Sequence, residues 1–309
     1  MVGNRATGDV IGLSDEGWDL CCKLASNEGL PEGDPLLSQQ TELVEHLAMG
    51  GFFNESRLRT LESAYLHVTQ RCNLSCVGCY SAADAGDGAA DMSLDEMVLV
   101  VGQLARAGVR CLNLSGGEPF LRRDLPLLVR AARTSGIEEV CVLTNGTVPD
   151  ADMIQELAPV VSCVSVSFDG PDASAPAWVR GTQRFPQLAA FVGQLRSAGI
   201  PVVLTTTVHG KNLEDLPRYQ QVAHELGAQI NFSLLSPPTG GPATLGSLAF
   251  DDEGLRQAAM ALWALSDAGG SATLTDEVVG AGLLCRDTCG AGCKTISVGA
   301  DGTVYPCHM

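Results

Sequence analysis

Three closely spaced cysteines lie in the segment Arg71-Cys72-Asn73-Leu74-Ser75-Cys76-Val77-Gly78-Cys79-Tyr80, which directly follows a short β-rich run at 65–69. Gaps of three and two residues allow one loop to bring three thiolates around a single centre. A four-iron cluster held by three cysteines keeps one iron open to a small molecule. Structural zinc normally takes a fourth protein ligand, which His67 could supply. The spacing favours the iron–sulfur cluster and leaves zinc as an alternative.

The sequence around this segment alternates β-rich runs with helical stretches. Such alternation predicts an α/β fold with a parallel sheet and right-handed crossovers. We expect a partial (β/α)6 barrel, similar to a TIM barrel, with its functional groups at the carboxyl ends of the strands. The six predicted strands lie at about 65–69, 111–114, 140–143, 163–168, 201–207 and 230–232.

Composition suggests two smaller parts on either side of this barrel. Residues 1–60 are predicted to form a small winged-helix-like module, and 61–235 the barrel. The breaker cluster Ser236-Pro237-Pro238-Thr239-Gly240-Gly241 marks the second boundary. Residues 236–309 are expected to contain a linker helix and a Cys-rich extension.

Charge and hydropathy exclude several classes of partner. Nineteen Lys and Arg against 36 Asp and Glu give a net charge of −17. Nucleic-acid binding is not expected, because it relies on clustered basic residues. No apolar run reaches the ~20 residues that span a bilayer, and no secretory signal is apparent. We therefore expect a cytoplasmic protein without membrane partners, whose 12 cysteines are not disulfides.

The spacing Cys-x3-Cys-x2-Cys followed by Tyr80 resembles the signature of the radical S-adenosylmethionine (SAM) superfamily. This resemblance implies that Cys72, Cys76 and Cys79 hold a 4Fe-4S cluster whose open iron binds SAM. It further implies reductive cleavage of SAM to a 5′-deoxyadenosyl radical, with flavodoxin or ferredoxin as electron donor. The cofactors then supply the difficult chemistry, and the protein positions them.

The same resemblance implies which residues contact SAM. The segment Gly116-Gly117-Glu118-Pro119 follows the second strand and is expected to bind the methionine amino group. Taken singly, such motifs also suit ordinary turns, as Asn-Gly and Asp-Gly do. Further contacts are expected from Tyr80, Asn145, Ser167, Asp169 and Arg180.

A second group of cysteines lies near the end of the sequence, at Cys285, Cys289, Cys293 and Cys307. Asp301-Gly302 between two β-rich runs predicts a hairpin that returns Cys307 towards Cys289. The spacing resembles the opening of the SPASM extension, which implies an auxiliary iron–sulfur cluster. We expect either a truncated extension or a reduced auxiliary site. Zinc is the rival metal, because four thiolates also suit its tetrahedral geometry.

The remaining cysteines are interpreted as structural. Cys111, Cys141 and Cys163 fall within predicted central strands, where a buried thiol behaves as a small apolar group. Cys21 and Cys22 belong to a predicted N-terminal helix.

The N-terminal run 10–55 resembles the peptide-recognition module of maturases of ribosomally made peptides, which is similar to the pyrroloquinoline-quinone chaperone fold. The resemblance implies a precursor peptide whose leader binds as an added strand, and a crosslinked product, either thioether or carbon–carbon. A maturase of folded proteins, of the formylglycine type, or a small-molecule oxidoreductase is the alternative. A non-catalytic zinc or iron–sulfur module that binds peptide is a second alternative.

Overall fold

A mostly parallel sheet organises the computed structural model, which describes residues 2–3, 10–11, 20–23, 40–49, 61–79, 81, 90–235, 242–267, 291–292 and 294–307. The strands are β1 Val2–Gly3, β2 Val10–Ile11, β3 Ser63–Thr69, β4 Cys111–Gly116, β5 Glu139–Thr144, β6 Cys163–Ser167, β7 Val202–Val208, β8 Gln229–Leu234, β9 Thr295–Val298 and β10 Val304–Tyr305. The α-helices are α1 Thr41–Met49, α2 Leu94–Arg106, α3 Leu125–Thr134, α4 Ala151–Leu157, α5 Phe185–Ser197, α6 Leu216–Glu225 and α7 Asp252–Asp267.

The order of the main sheet is β10-β9-β3-β4-β5-β6-β7-β8, and every neighbouring pair is parallel except β9 with β10. The six predicted strands and the predicted α/β partial barrel are confirmed. The predicted hairpin at Asp301-Gly302 is also confirmed, since Val304 pairs with Val298. Its first strand, β9, pairs with β3 of the barrel, where Thr295 lies opposite Ser63.

The two faces of the sheet have different chemistry. In β3, Ala64, Leu66 and Val68 point into the hydrophobic core, together with helix residues such as Met97 and Leu128. Because successive side chains of a strand alternate between faces, the intervening residues line the opposite, concave face. That face is rich in hydroxyl, amide and thiol groups.

Helix starts follow simple sequence signals. Ser93 caps α2 and forms a capping box with Glu96. Helices α3, α5 and α6 each have proline in the first turn, where its missing N–H costs no hydrogen bond. The helical segment before β8 begins as a 3-10 turn, Leu213–Asp215, and continues as α6.

Within the N-terminal part, β1 and β2 pair antiparallel, and α1 follows at Thr41–Met49. Residues 20–23 are helical, which confirms the predicted helix containing Cys21 and Cys22. Cys21 is buried and Cys22 is exposed. The motifs at 12–17 and 50–53 on which the winged-helix prediction depends lie outside the described residues. Among the helices of the described ranges, none has the length and apolar character to cross a bilayer.

Candidate iron–sulfur and cofactor site

The three cysteines of the signature lie in the loop that leaves β3 at the carboxyl rim of the sheet. Cys72, Cys76 and Cys79 are all half-buried. Asp91 fixes the beginning of this loop, because its carboxylate accepts hydrogen bonds from Thr69 Oγ1 at 2.5 Å and from the Gln70 amide at 2.8 Å. Burial raises the pKa of Cys76 to about 11. Ligation of a metal cluster would therefore displace its proton.

Backbone contacts fasten the loop to the segment after β4. The amide of Gly117 donates to the Thr69 carbonyl at 2.8 Å, and the amide of Glu118 donates to the Arg71 carbonyl at 2.9 Å. A Cβ at position 117 would lie 2.2 Å from that Arg71 oxygen. The second glycine of the motif is therefore required by close approach of two main chains.

Glu118 links the ends of β4 and β5 through a buried carboxylate. Its side chain accepts hydrogen bonds from Thr144 Oγ1 at 2.7 Å, from the Asn145 amide at 2.7 Å and from the Phe120 amide at 3.0 Å. Burial raises the pKa of Glu118, although these hydrogen bonds act in the opposite direction. The carboxylate is fully buried, so in this structure it holds the rim together.

Asn145 joins the end of β5 to the cysteine loop. Its Nδ2 lies 3.9 Å from Cys72 Sγ and donates to Asn73 Oδ1 at 2.9 Å. Asn73 Nδ2 in turn donates to Thr147 Oγ1 at 2.7 Å. The predicted site residue Asn145 therefore lies directly beside a predicted cluster ligand.

Asp169 and Arg180, which were predicted from the end of the fourth barrel strand, form an ion pair. The Arg180 amide also donates to Asp169 Oδ2 at 2.9 Å. The Val77 amide in the cysteine loop donates to the Val179 carbonyl at 2.8 Å, which brings this pair to the same rim. Asn145, Ser167, Asp169 and Arg180 line one pocket there.

These residues fit a three-cysteine cluster with a bound SAM molecule. Cys72, Cys76 and Cys79 lie in one loop, between positions 72 and 79, so the donor set is local. In the ranges that the structure describes, no three His, Cys, Asp or Glu side chains converge on one metal ion. A four-iron cluster places its ligands on separate irons, so it does not need such convergence. When bound, the cluster would supply an electron to SAM.

Several contributors to this rim were missed by sequence reasoning. Asp91, Asn73 and Thr144 all act through the hydrogen bonds described above. Asn73 and Thr144 lie in or beside the predicted motifs, but no role was predicted for either. The role of Thr144 could have been predicted from its position, because it directly precedes Asn145-Gly146 at a strand end. The role of Asp91 could not, since its partners are separated from it by 21 and 22 residues.

The remaining predicted ligands are only partly described. Cys307 is half-buried just after β10. Tyr80 and three predicted ligands of the auxiliary cluster, Cys285, Cys289 and Cys293, lie outside the described residues.

The prediction that Cys111, Cys141 and Cys163 are buried apolar groups is wrong. All three are partly exposed, because their positions in the strand alternation place them on the concave face. The Cys163 and Cys141 thiols are hydrogen-bonded to each other, with their sulfurs 2.8 Å apart.

Comparison with known proteins agrees with the class of site. The family model described as "Radical SAM superfamily" matches residues 66–222. The chain belongs to the radical SAM superfamily.

Curated relatives differ in what they make. The chain is 34% identical over 175 residues to an AdoMet-dependent heme synthase of Methanosarcina barkeri, covering 56% of this chain and 50% of the relative. It is 30% identical over 182 residues to a GTP 3′,8-cyclase of Chlorobaculum tepidum, covering 58% and 55%. It is 29% identical over 166 residues to a PqqA peptide cyclase of Granulibacter bethesdensis, covering 52% and 43%. The chain thus spans about half the length of the curated relatives it matches.

Solved structures confirm the fold. SuiB of Streptococcus suis bound to S-adenosylmethionine aligns with a TM-score of 0.64 at 16% identity, covering 94% of this chain and 69% of that one. SuiB bound to its precursor peptide SuiA aligns with a TM-score of 0.64 at 15% identity, covering 92% and 67%.

Proposed function

We propose that this protein is a radical SAM enzyme that modifies a ribosomally made peptide. Cys72, Cys76 and Cys79 hold the 4Fe-4S cluster. When bound, the cluster would pass one electron from flavodoxin or ferredoxin to SAM, and cleavage of SAM would supply the 5′-deoxyadenosyl radical that takes a hydrogen atom from the peptide. The proposed product is a thioether or carbon–carbon crosslink. Its formation removes a second electron and a proton from the peptide, and the proposed auxiliary cluster would accept that electron.

One observation carries the cofactor part of this proposal. The cysteine loop, the glycine motif and the end of β5 converge at a single rim, where Asn145 touches Cys72 and Glu118 binds the Asn145 amide. Three segments far apart in sequence are thereby fixed next to the thiols. Such preorganisation is what a protein contributes to chemistry that a cofactor performs.

The pocket at this rim suggests how SAM is held. Asp169 and Arg180, which are paired with each other, line this pocket and carry charges of both signs. The amino and carboxylate groups of SAM need partners of both signs. The proposed SAM contacts are completed by Tyr80, Gly116, Gly117, Pro119, Asn145 and Ser167. The buried carboxylate of Glu118 would support them through its hydrogen bond with the Asn145 amide.

Peptide as the substrate class has separate support. A PqqA peptide cyclase is among the relatives, and SuiB has been solved with a precursor peptide. On the concave face, Asn113, Ser165 and Thr205 offer amide and hydroxyl groups, and Ser165 and Thr205 are hydrogen-bonded to each other at 2.7 Å. Groups of this kind pair well with a neutral peptide backbone.

The alternative is a small-molecule substrate. The sequence identity of this chain to the heme synthase is higher than its identity to the peptide cyclase, which favours this alternative. The auxiliary cluster on Cys285, Cys289, Cys293 and Cys307 belongs to the proposal in either case.

Cleavage of SAM tests the proposed cofactor chemistry. Anaerobically reconstituted protein, reduced with dithionite, should contain about four irons per SAM-binding cluster and form 5′-deoxyadenosine. Replacing Cys72, Cys76 and Cys79 together by alanine should abolish that product. Cys22→Ala is the matched control, because Cys22 is an exposed thiol in the N-terminal part. Equal product from the triple variant would refute the assignment.

A further inference from the structure

Three thiols on neighbouring strands stand apart from the cluster loop and have no role in the proposed function. Cys111 begins β4, Cys141 lies in β5 and Cys163 begins β6. Their sulfurs form a short row, because Cys163 Sγ lies 2.8 Å from Cys141 Sγ and Cys141 is also hydrogen-bonded to the Cys111 thiol. All three are partly exposed on the concave face, so small reagents can reach them.

The strand register decides which two of these thiols could join. Cys141 and Cys163 are direct partners in the β5–β6 ladder, so their Cα atoms are ~5 Å apart. Cys111 lies opposite Glu139 in the β4–β5 ladder, two residues before the level of Cys141, which places it diagonally at ~8 Å. Disulfides rarely bridge Cα atoms more than ~7 Å apart. Only the pair Cys141–Cys163 meets this limit without movement of the backbone.

We infer that Cys141 and Cys163 are a redox-active pair that forms a reversible disulfide on the concave face of the barrel. The oxidant is a low-molecular-weight disulfide such as oxidised glutathione. One cysteine thiolate attacks it and releases one glutathione, and the second cysteine then displaces the other. The protein loses two protons and two electrons as its S–S bond forms, and the oxidant becomes two glutathione thiols.

Oxidation would covalently tie two strands that lead directly to the cofactor rim. Strand β5 runs on into Asn145, and β6 ends at Ser167. Both residues line the pocket at that rim. The pair is therefore a modification site below the proposed SAM contacts, and it does not depend on whether SAM is the true ligand.

Electrostatics indicates that this reaction is slow at neutral pH. The Cys111 hydrogen bond lowers the pKa of Cys141, but the Cys163 hydrogen bond and burial outweigh it and raise the pKa well above its ordinary value. Because the thiolate is the attacking species, disulfide formation should accelerate as the pH rises from 7 to 9.

Peptide mapping of anaerobically reconstituted wild-type protein, treated with graded oxidised glutathione and alkylated without reduction, tests the inference. Trypsin leaves both cysteines in the fragment 134–180, whereas cleavage after Glu156 separates them. We expect the fragments of Cys141 and Cys163 to be joined, and dithiothreitol to release them. Alkylated thiols, glutathione adducts on each cysteine or a linkage to Cys111 would each overturn the inference.

Variants separate this pair from its surroundings. Cys111→Ser should retain the Cys141–Cys163 linkage, whereas Cys163→Ser should lose it while keeping the wild-type circular dichroism. The variant lacking all three loop cysteines should still form the linkage, which distinguishes it from oxidative damage to the cluster. Loss of the linkage in that variant would count against an independent pair. Failure to form 5′-deoxyadenosine would leave the peptide-mapping result unaffected.

Discussion

At the scale of single residues, Gly117 is the most constrained position of the rim. Gly117→Ala would place a methyl group 2.2 Å from the Arg71 carbonyl oxygen, and two main chains would have to separate. We expect a loss of ~1–3 kcal/mol in the free energy of unfolding and a several-fold lower iron content after reconstitution. Urea titration and iron assay measure the two effects.

The matched control for that change is Gly193→Ala. Gly193 is exposed in α5 and has open space where a Cβ would lie. Alanine there should stabilise the protein by about 0.5–1 kcal/mol, because glycine is unfavourable within helices. Similar losses in the free energy of unfolding in both variants would show that the close approach of the two main chains at Gly117 does not cause the effect.

Glu118 gives a second prediction, based on its buried hydrogen bonds. Glu118→Gln replaces one acceptor oxygen by a donor that faces other donors, so we expect a loss of ~1–3 kcal/mol in the free energy of unfolding. Burial raises the pKa of Glu118 in the folded state. Its titration therefore adds stability at low pH that is lost as the pH rises through the folded pKa. In urea titrations, the free energy of unfolding of the wild type should therefore approach that of Glu118→Gln as the pH rises from 5 to 8.

Glu138→Gln provides the comparison for that pH dependence. Glu138 is exposed, and its hydrogen bond with Arg110 lowers its pKa. The stability from such a group is present above its unfolded pKa and is lost only as the pH falls. The difference in the free energy of unfolding between wild type and Glu138→Gln should not shrink between pH 5 and pH 8. The same pH dependence in both variants would contradict the assignment of that effect to the titration of Glu118.

Residue spacing revealed the centre of the site, but not its supports. Cys72, Cys76 and Cys79 share one loop, so their pattern is visible in sequence. Asp91 supports that loop from 21 residues away or more, and only the folded chain shows this contact. The clustering of Cys111, Cys141 and Cys163 on the concave face was missed for the same reason. The face on which a side chain lies depends on how its strand pairs with its neighbours.

At the scale of elements, the capping box of α2 yields a prediction of its own. Ser93 Oγ accepts from the Glu96 amide at 3.3 Å, and Glu96 Oε2 accepts from the Ser93 amide at 2.8 Å. Ser93→Ala should reduce the free energy of unfolding by ~1 kcal/mol, measured by urea titration. Ser197→Ala, at the exposed end of α5, should change it by less than ~0.5 kcal/mol. Equal effects would argue against capping.

Strands and helices could be predicted from the sequence, because their hydrophobic residues repeat with different periods. Alternating and helical patterns located all six barrel strands and the helices between them. The place of β9 was not predictable, because a parallel strand can join the sheet from any distance along the chain. Thr295 pairs with Ser63, and local sequence carries no signal for a partner so remote.

At the scale of the whole molecule, the sequence comparisons cover less of the chain than the fold comparisons do. The curated relatives match about half of the chain. The fold of SuiB extends over 94% of it. A shared fold does not determine the substrate, because function depends on the residues of the site. Substrate class therefore needs a direct experiment.

The proposed peptide substrate predicts that SAM cleavage responds to a leader. With a synthetic peptide matching a short Cys-rich reading frame beside the gene, 5′-deoxyadenosine should form faster than without it. Removing the leader should raise the half-maximal concentration by about 10²-fold, because tethering increases the effective concentration of the modified segment. GTP serves as the comparison substrate, because a GTP 3′,8-cyclase is among the relatives. Acceleration by GTP but not by the peptide would favour a small-molecule enzyme, whereas equal responses with and without leader would contradict the recognition role predicted for residues 1–60.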